Sequence, residues 1–410
     1  MQRMFIVLLL CCIITPNLFS QKTHYTKRTR NEVREGPGNY YDLLRVLPSG
    51  VAITIQEEKG TWFNIKTPDK TKGWMSKNCL TEAPPSTTKN LETEWTSPKA
   101  TKAGVAAAIR GFAERYGKPS GEQIEMLDVI AEQTFSANDF MDFQQSTLQQ
   151  VQLVPFTNIY EDYQTLIPAY HCSESEEGIG AGIAATILSR GVVRNPALTK
   201  YVNLLGLYLV EHSPMNDVRF RFYVLDDNRA VAFSLPGGFV FVSQGLMNVC
   251  SNEAELAGAI AHEMMHIILQ HGIKELDSSK IKIHVEEIFE DMQKEFDEPT
   301  DTTEDALTEF AQIAWETVNK PRTLKMETEA DKSAAILLTH CGYDAHSLMQ
   351  LIQKIEAKAK NVFDVDIEEE RPLAYLDFVQ RRTLLQEFLR EEMKQTSGAL
   401  LEERFRSFVK

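Results

Sequence analysis

Two histidines four residues apart, with a glutamate directly after the first, make His262-Glu263-Met264-Met265-His266 the stretch of this sequence best equipped for chemistry. On a helix, residues i and i+4 share a face, with Cβ atoms about 5–6 Å apart. Two imidazoles so placed can chelate one zinc ion, and Glu263 beside them can serve as general base toward a water molecule. The stretch is apolar on both sides (Ala-Ile-Ala before, Ile-Ile-Leu after). A pair of satisfied core histidines is the plain alternative, but imidazoles and a carboxylate buried without partners are costly.

A catalytic zinc needs a third protein ligand and an open fourth position. A third histidine six residues after the second is excluded, because position 272 is Gly and His271 falls one residue short. His271 is then a polar helix-end residue or a partner of a ligand. An aspartate ligand has no clear candidate. A glutamate from a later helix does: Glu327-Thr328-Glu329-Ala330-Asp331. Glu327 would bind zinc, and Asp331, one turn along the same face, would accept a hydrogen bond from the free ring nitrogen of a ligating histidine. Glu329 points elsewhere on that helix. An exposed acidic turn is the alternative, and the apolar run Ala334–Leu338 that follows argues for a buried helix.

The elements that must position these residues are legible nearby. Arg219–Leu225 alternates as a half-buried strand does, Val231–Leu235 begins a second strand, and Gly237-Gly238 turns the chain into a third, Phe239–Ser243. With Gly237, Gly238, Phe239, Val240 and Phe241 at its start, this third strand is a candidate exposed edge that pairs with an extended substrate; ordinary internal pairing is the alternative. The histidine-bearing helix is expected over Asn252–His271, with Ser251 as N-cap and Gly272 as C-cap. The helix with Glu327 is expected over Leu324–His340, followed by amphipathic stretches near Ala345–Lys360 and Leu373–Val409. The acidic stretch Ile273–Lys320 falls between the two ligand-bearing helices.

The chain of 410 residues is long enough for several domains, and its net charge of −15 argues against nucleic acid as a partner. Residues 1–20 read as a secretory signal: Arg3, an apolar run Phe5–Ile14 too short to span a bilayer, a Pro16-Asn17 break and a cleavage point before Gln21. A retained anchor is the rival reading. No later stretch is long and apolar enough for a membrane span, so an exported protein, periplasmic or secreted, is expected. Removing the signal leaves Cys79, Cys172, Cys250 and Cys341. An oxidising compartment permits a Cys250–Cys341 disulfide, with four free buried thiols as the alternative.

Two resemblances follow from these residues. Asn31-x-Val33-Arg34-x-Gly36-Pro37-Gly38-x-Tyr40, with Gly60-x-Trp62-Phe63-x-Ile65 and Gly73-Trp74-Met75, resembles a bacterial SH3-like domain. That likeness implies a small β barrel and a cell-wall or peptide ligand, for which Tyr40, Trp62 and Trp74 either line a groove or form the core. Ala232-Phe233-x-Leu235-Pro236-Gly237-Gly238-Phe239, Glu253-x-Glu255-Leu256-Ala257, the zinc helix and Glu-x-Glu-Ala-Asp together resemble the HtpX-type gluzincin metallopeptidases. This second likeness implies one zinc ion per chain held by His262, His266 and Glu327, Glu263 as general base, and protein or peptide substrates. It departs from the family in carrying Val231 where asparagine is usual. It also carries Arg371-Pro372 in place of a His-Pro followed by an arginine, which leaves Arg371, Tyr375 and His346 as candidates for stabilising the oxyanion.

The expected fold class is therefore multidomain: a small all-β SH3-like barrel, then a mainly α (α+β) gluzincin metallopeptidase domain with a small β-sheet. Boundaries fall at 1–20 (signal), 21–82 (SH3-like), 83–102 (linker), 103–172 (helical connector) and 173–410 (metallopeptidase). The expected function is a zinc endopeptidase acting on proteins outside the cytoplasm, in envelope quality control or processing. A cell-wall peptidase aimed by the SH3-like domain and a non-catalytic SH3-like adaptor are the alternatives.

Overall fold

The computed structural model describes residues 23–28, 30–84, 135–168, 170–172, 177, 180, 184, 187–188, 191–272, 322–362, 374–394 and 397–409. The signal and the acidic stretch at 273–320 lie outside them, as do most of the expected linker, residues 103–134 of the expected connector, and Arg371. The chain clusters into two compact units, one of residues 1–37 and 43–95, the other of 38–42 and 96–410.

The first unit is all-β. Strands β1 (Thr23–Thr26), β2 (Asn31–Arg34), β3 (Leu43–Leu47), β4 (Ala52–Lys59), β5 (Trp62–Lys66), β6 (Lys72–Ser76) and β7 (Leu80–Thr81) form one sheet in the order β3-β2-β6-β5-β4-β1-β7. Every pairing is antiparallel, and bulges at Val33/Arg34 and Ile55/Glu57 bend it. Its core is Val33, Leu47, Val51, Ile53, Ile65, Met75, Cys79 and Leu80. The asparagine that opens the SH3-like pattern ties backbone segments together, since Asn31 Nδ2 donates to Leu47 O at 3.0 Å and its Oδ1 accepts from Arg28 N. Of the three aromatics, Trp62 is buried and Trp74 half-buried. Tyr40 falls in the cluster of the second unit, its ring 4.4 Å from that of Phe140. Trp62 is thus a buried core residue, and Tyr40 packs at a tilt against a neighbouring ring.

The second unit is mainly helical. It contains α1 (Ala137–Leu148), α2 (Phe156–Ile159), α3 (Tyr163–Leu166), α4 (Pro196–Glu211), β8 (Arg221–Leu225), β9 (Ala232–Leu235), β10 (Phe239–Ser243), α5 (Gln244–Val249), α6 (Glu253–Ile268), α7 (Leu324–His340), α8 (His346–Val362), α9 (Ala374–Glu391) and α10 (Glu402–Val409). Helix α6 is buried at all sixteen positions and lies against α7, α8, α4 and β9, with α9 packed on α7. A helix buried on every face belongs in a core, and α6 is the centre of this one.

Three expectations are corrected here. The N-cap of α6 is Asn252, whose Oδ1 accepts from Glu255 N at 2.9 Å; Ser251 instead donates its backbone N–H to the Glu255 carboxylate. The helix ends at Ile268, because Gln270 takes a left-handed φ of 56°, so Gly272 is not its cap. Cys250 and Cys341 are separate buried thiols, each pushed up in pKa by burial, with no disulfide between them.

The strand order is β8-β10-β9, with β10 parallel to β8 and antiparallel to β9. Strand β10 is therefore central and buried throughout, and the reading of Phe239, Val240 and Phe241 as an exposed substrate edge is overturned. Among the described residues the edge nearest α6 is β9. Gly237 and Gly238 make the connecting turn with φ of 85° and 91°, and a Cβ at Gly238 would stand 2.3 Å from Arg219 O. Strand β8 is buried on both faces despite its alternation, because Arg221 pairs with Glu177 and lies over the Phe239 ring.

Candidate metal centre

Helical spacing brings His262 and His266 to one face of α6, and their Nε2 atoms stand 3.0 Å apart. Helix α7, opened by Thr323 as N-cap, lies across them and delivers Glu327 from its first turn. The Glu327 carboxylate spans the pair, Oε2 at 3.4 Å from His262 Nε2 and Oε1 at 3.4 Å from His266 Nε2. Ligand bonds of about 2.0–2.1 Å at the tetrahedral angle place neighbouring donor atoms about 3.3 Å apart. The three donors stand at that spacing and converge on one point, so they fit a single zinc ion. Among the described residues no other group of three such side chains does so.

The groups behind the donors set their charge. His262 Nδ1 lies 2.8 Å from Asp331 Oδ1. Burial opposes protonation of His262, but the Asp331 and Glu327 carboxylates outweigh it and raise its pKa to about 9 in the ion-free protein. His266 is driven the other way, well below the usual histidine range, by burial and by the Arg322 charge. Burial would raise Glu327, yet the Arg381 guanidinium and the two imidazoles hold it well below the usual carboxylate range. Asp331 is lowered by the same guanidinium and by His262, again against its burial.

Glu263, buried beside His262, accepts a hydrogen bond at Oε2 from Ser234 Oγ of β9 at 2.8 Å. Arg322 Nη1 lies 3.7 Å from the same oxygen, and its Nη2 donates to Ser234 O at 3.4 Å. Both neighbours engage Oε2.

Sequence reasoning missed Ser234, Arg322 and Arg381. Arg381 of α9 donates from Nε and Nη2 to Asp331 at 2.9 and 2.8 Å and pairs through Nη1 with Glu327 at 2.7 Å, clamping both carboxylates. The Arg381-Arg382 pair in an amphipathic stretch looks like any solvated helix face, so only its packing on α7 reveals it. Of the oxyanion candidates, His346 is tied to Asp344 at 3.0 Å, Arg371 lies outside the described residues, and for Tyr375 only the backbone of α9 is described.

Residues 196–398, from the start of α4 through the segment before α10, match the model of peptidase family M48. This domain belongs to peptidase family M48. The M48 assignment agrees at family level with the gluzincin resemblance. Residues 32–81 match the bacterial SH3 domain model.

The chain is 34% identical over 83 residues to the beta-barrel assembly-enhancing protease of Escherichia coli K12, covering 20% of this chain and 17% of the relative. It is 30% identical over 120 residues to the protease of the same name in Yersinia pestis, covering 29% and 25%. It is 26% identical over 163 residues to the mitochondrial metalloendopeptidase OMA1 of Schizosaccharomyces pombe, covering 39% and 44%. The matches thus span from a sixth to under half of these relatives' own lengths.

Proposed function

We propose that this chain is a zinc metalloendopeptidase that hydrolyses peptide bonds of protein substrates. The observation that carries the reading is the convergence of His262, His266 and Glu327 at ligand spacing beside Glu263. Zinc bound there supplies a Lewis acid that polarises a carbonyl and lowers the pKa of a water.

The chain's own residues do the rest. Asp331 faces His262 Nδ1 and so keeps Nε2 of that ring directed at the site. Arg381 holds the Glu327 and Asp331 carboxylates in place without donating to the imidazoles. Glu263 takes a proton from the attacking water at Oε1 and returns it to the leaving amine, while Ser234 fixes its other oxygen. Strand β9 is the sheet edge beside α6 and carries Ser234, so an extended substrate would add to β9.

Relatives named for β-barrel assembly and for mitochondrial endopeptidase activity support proteins as the substrate class. The signal-like residues 1–20 support action outside the cytoplasm, in envelope quality control or processing. No helix among the described residues is long and apolar enough to cross a membrane. The bacterial SH3 match favours a second reading, a cell-wall peptidase aimed by that domain. The assay that tests both is hydrolysis of unfolded casein and of isolated cell wall, with and without a chelator, followed by zinc restoration. Casein cleavage that the chelator stops and zinc restores is expected. Cleavage indifferent to the chelator overturns the proposal, and cleavage of cell wall alone selects the second reading.

A further inference from the structure

His271 is a buried imidazole beside the metal centre that the proposed chemistry leaves unused. Its position follows from the end of α6. The left-handed Gln270 reverses the chain and folds His271 back against the helix it has just left. There its Nδ1 lies 2.8 Å from His266 Nδ1, and its Nε2 lies 3.3 Å from Glu329 Oε2. Glu329 lies on a different face of α7 from Glu327 and Asp331, and its carboxylate meets this ring instead of the metal donors.

Two ring nitrogens 2.8 Å apart share one proton, and only two arrangements of neutral rings exist. If His271 Nδ1 carries the proton, the proton of His266 sits on Nε2. That atom faces His262 and Glu327, and the lone pair a metal needs is occupied. If His266 Nδ1 carries it, His266 Nε2 is bare, and the proton of His271 sits on Nε2, facing Glu329. A carboxylate accepts and does not donate, so Glu329 selects the second arrangement.

We propose that His271, oriented by Glu329, is a positioning residue that holds His266 in the Nδ1–H tautomer, with Nε2 free for zinc. His262 is oriented by Asp331 directly; His266 is oriented by a carboxylate acting through an imidazole. The outer end of this relay is partly open: the Glu329 side chain is 39% exposed and lies 3.9 Å from Lys325 Nζ, so water can replace part of its role.

The inference rests on the zinc reading above, and its test separates the two. Zinc affinity of the full chain is measured by competition with a chromogenic chelator for wild type, His271→Ala, His271→Asn and Glu329→Gln. Loss of a partner behind a ligating histidine weakens metal binding by about 10–100-fold, and that loss is expected for His271→Ala. His271→Asn, whose Oδ1 can accept from His266, should recover most of it, and Glu329→Gln should lose less than His271→Ala.

Since His271→Ala also opens a small cavity, the second measurement uses the unmodified chain with 15N-labelled histidine. Ring couplings should show His266 protonated at Nδ1 and His271 at Nε2, both in the ion-free and in the zinc-loaded protein. A His271 proton on Nδ1, or a His271→Ala affinity within about threefold of wild type where 10–100-fold is expected, overturns the relay while leaving the zinc site standing. A wild-type chain that binds no zinc overturns the metal reading and the relay with it.

Discussion

Helix α6 carries a buried polar cluster at each end, and the two are built on opposite principles. At its first residue, the fully buried Glu253 accepts from Tyr201 Oη at 2.9 Å, Tyr343 Oη at 2.7 Å and Arg404 Nε at 2.7 Å, with Arg404 Nη2 on its other oxygen. One carboxylate meets one guanidinium and two phenols, all of them donors, so the cluster is charge-balanced and closed. Burial and the Glu253 charge push both phenols far above their usual range, so they stay protonated as donors. Further along the helix, Glu263, Glu327 and Asp331 stand against Arg381 and Arg322, and the His262 and His266 Nε2 atoms face each other. The three carboxylates outnumber the two guanidiniums, and in the ion-free protein a proton on His262 makes up the difference. A closed cluster stabilises a fold; a cluster with an excess of acceptors converging on one point can hold a cation.

Four experiments probe this contrast. The largest effect belongs to Glu263→Gln, which keeps the shape and removes the base: peptidase activity should fall about 10²–10⁴-fold, while zinc content, read by metal analysis, is retained. At the other end of the helix, Arg404→Ala leaves Glu253 buried without its counter-charge and should cost about 3–5 kcal/mol in urea unfolding. Zinc affinity per folded molecule should stay at the wild-type value, because the histidine donors sit more than two helical turns further along.

The third experiment compares imidazoles. Burial lowers His212 from its ordinary 6.5 to about 4, whereas the carboxylates raise ion-free His262 to about 9. For His212 the unfolded chain binds the extra proton, so its contribution is complete above pH 6.5 and is lost as pH falls toward 4. That loss is about 3 kcal/mol. For His262 the sign reverses, its contribution being complete below pH 6.5 and lost as pH rises through about 9. Unfolding of the ion-free chain across pH should show both slopes. His212→Asn should make the acid limb shallower and leave the alkaline one, and an unchanged acid limb would remove His212 as a contributor. The smallest effect is expected for Ser234→Ala, which frees Glu263 Oε2 from one charge-assisted hydrogen bond worth about 1.5 kcal/mol. It should lower kcat roughly tenfold, the rate equivalent of that energy, without changing zinc affinity.

Much of this was legible in the sequence because it is local. The spacing of His262 and His266 fixes a shared helix face, and the four-residue step from Glu327 to Asp331 fixes another, so both halves of the centre read directly from helical geometry. The turn at Gly237-Gly238 and the asparagine-led pattern of the first unit read equally well. What misled was also local. A strand of Phe-Val-Phe-Val-Ser has the same appearance at an edge and at a centre, since pairing partners are set by distant segments. Ser251 and Asn252 are both good caps, and the choice between them depends on which side chain reaches Glu255 N.

The proposed donors, the proposed base and the all-β and mainly helical make-up of the chain were readable from sequence alone, since each rests on residues within one or two turns of chain or on a compact motif. What surrounds the donors was not, and it took the folded chain to reveal it. Arg381 reaches Asp331 from 50 residues away, Ser234 reaches Glu263 from 29, and Glu329 reaches His271 from 58. These separations carry no periodic signal. The partners meet because apolar burial packs α7 on α6, α9 on α7 and β9 beside them, and that packing holds each polar group where its partner is.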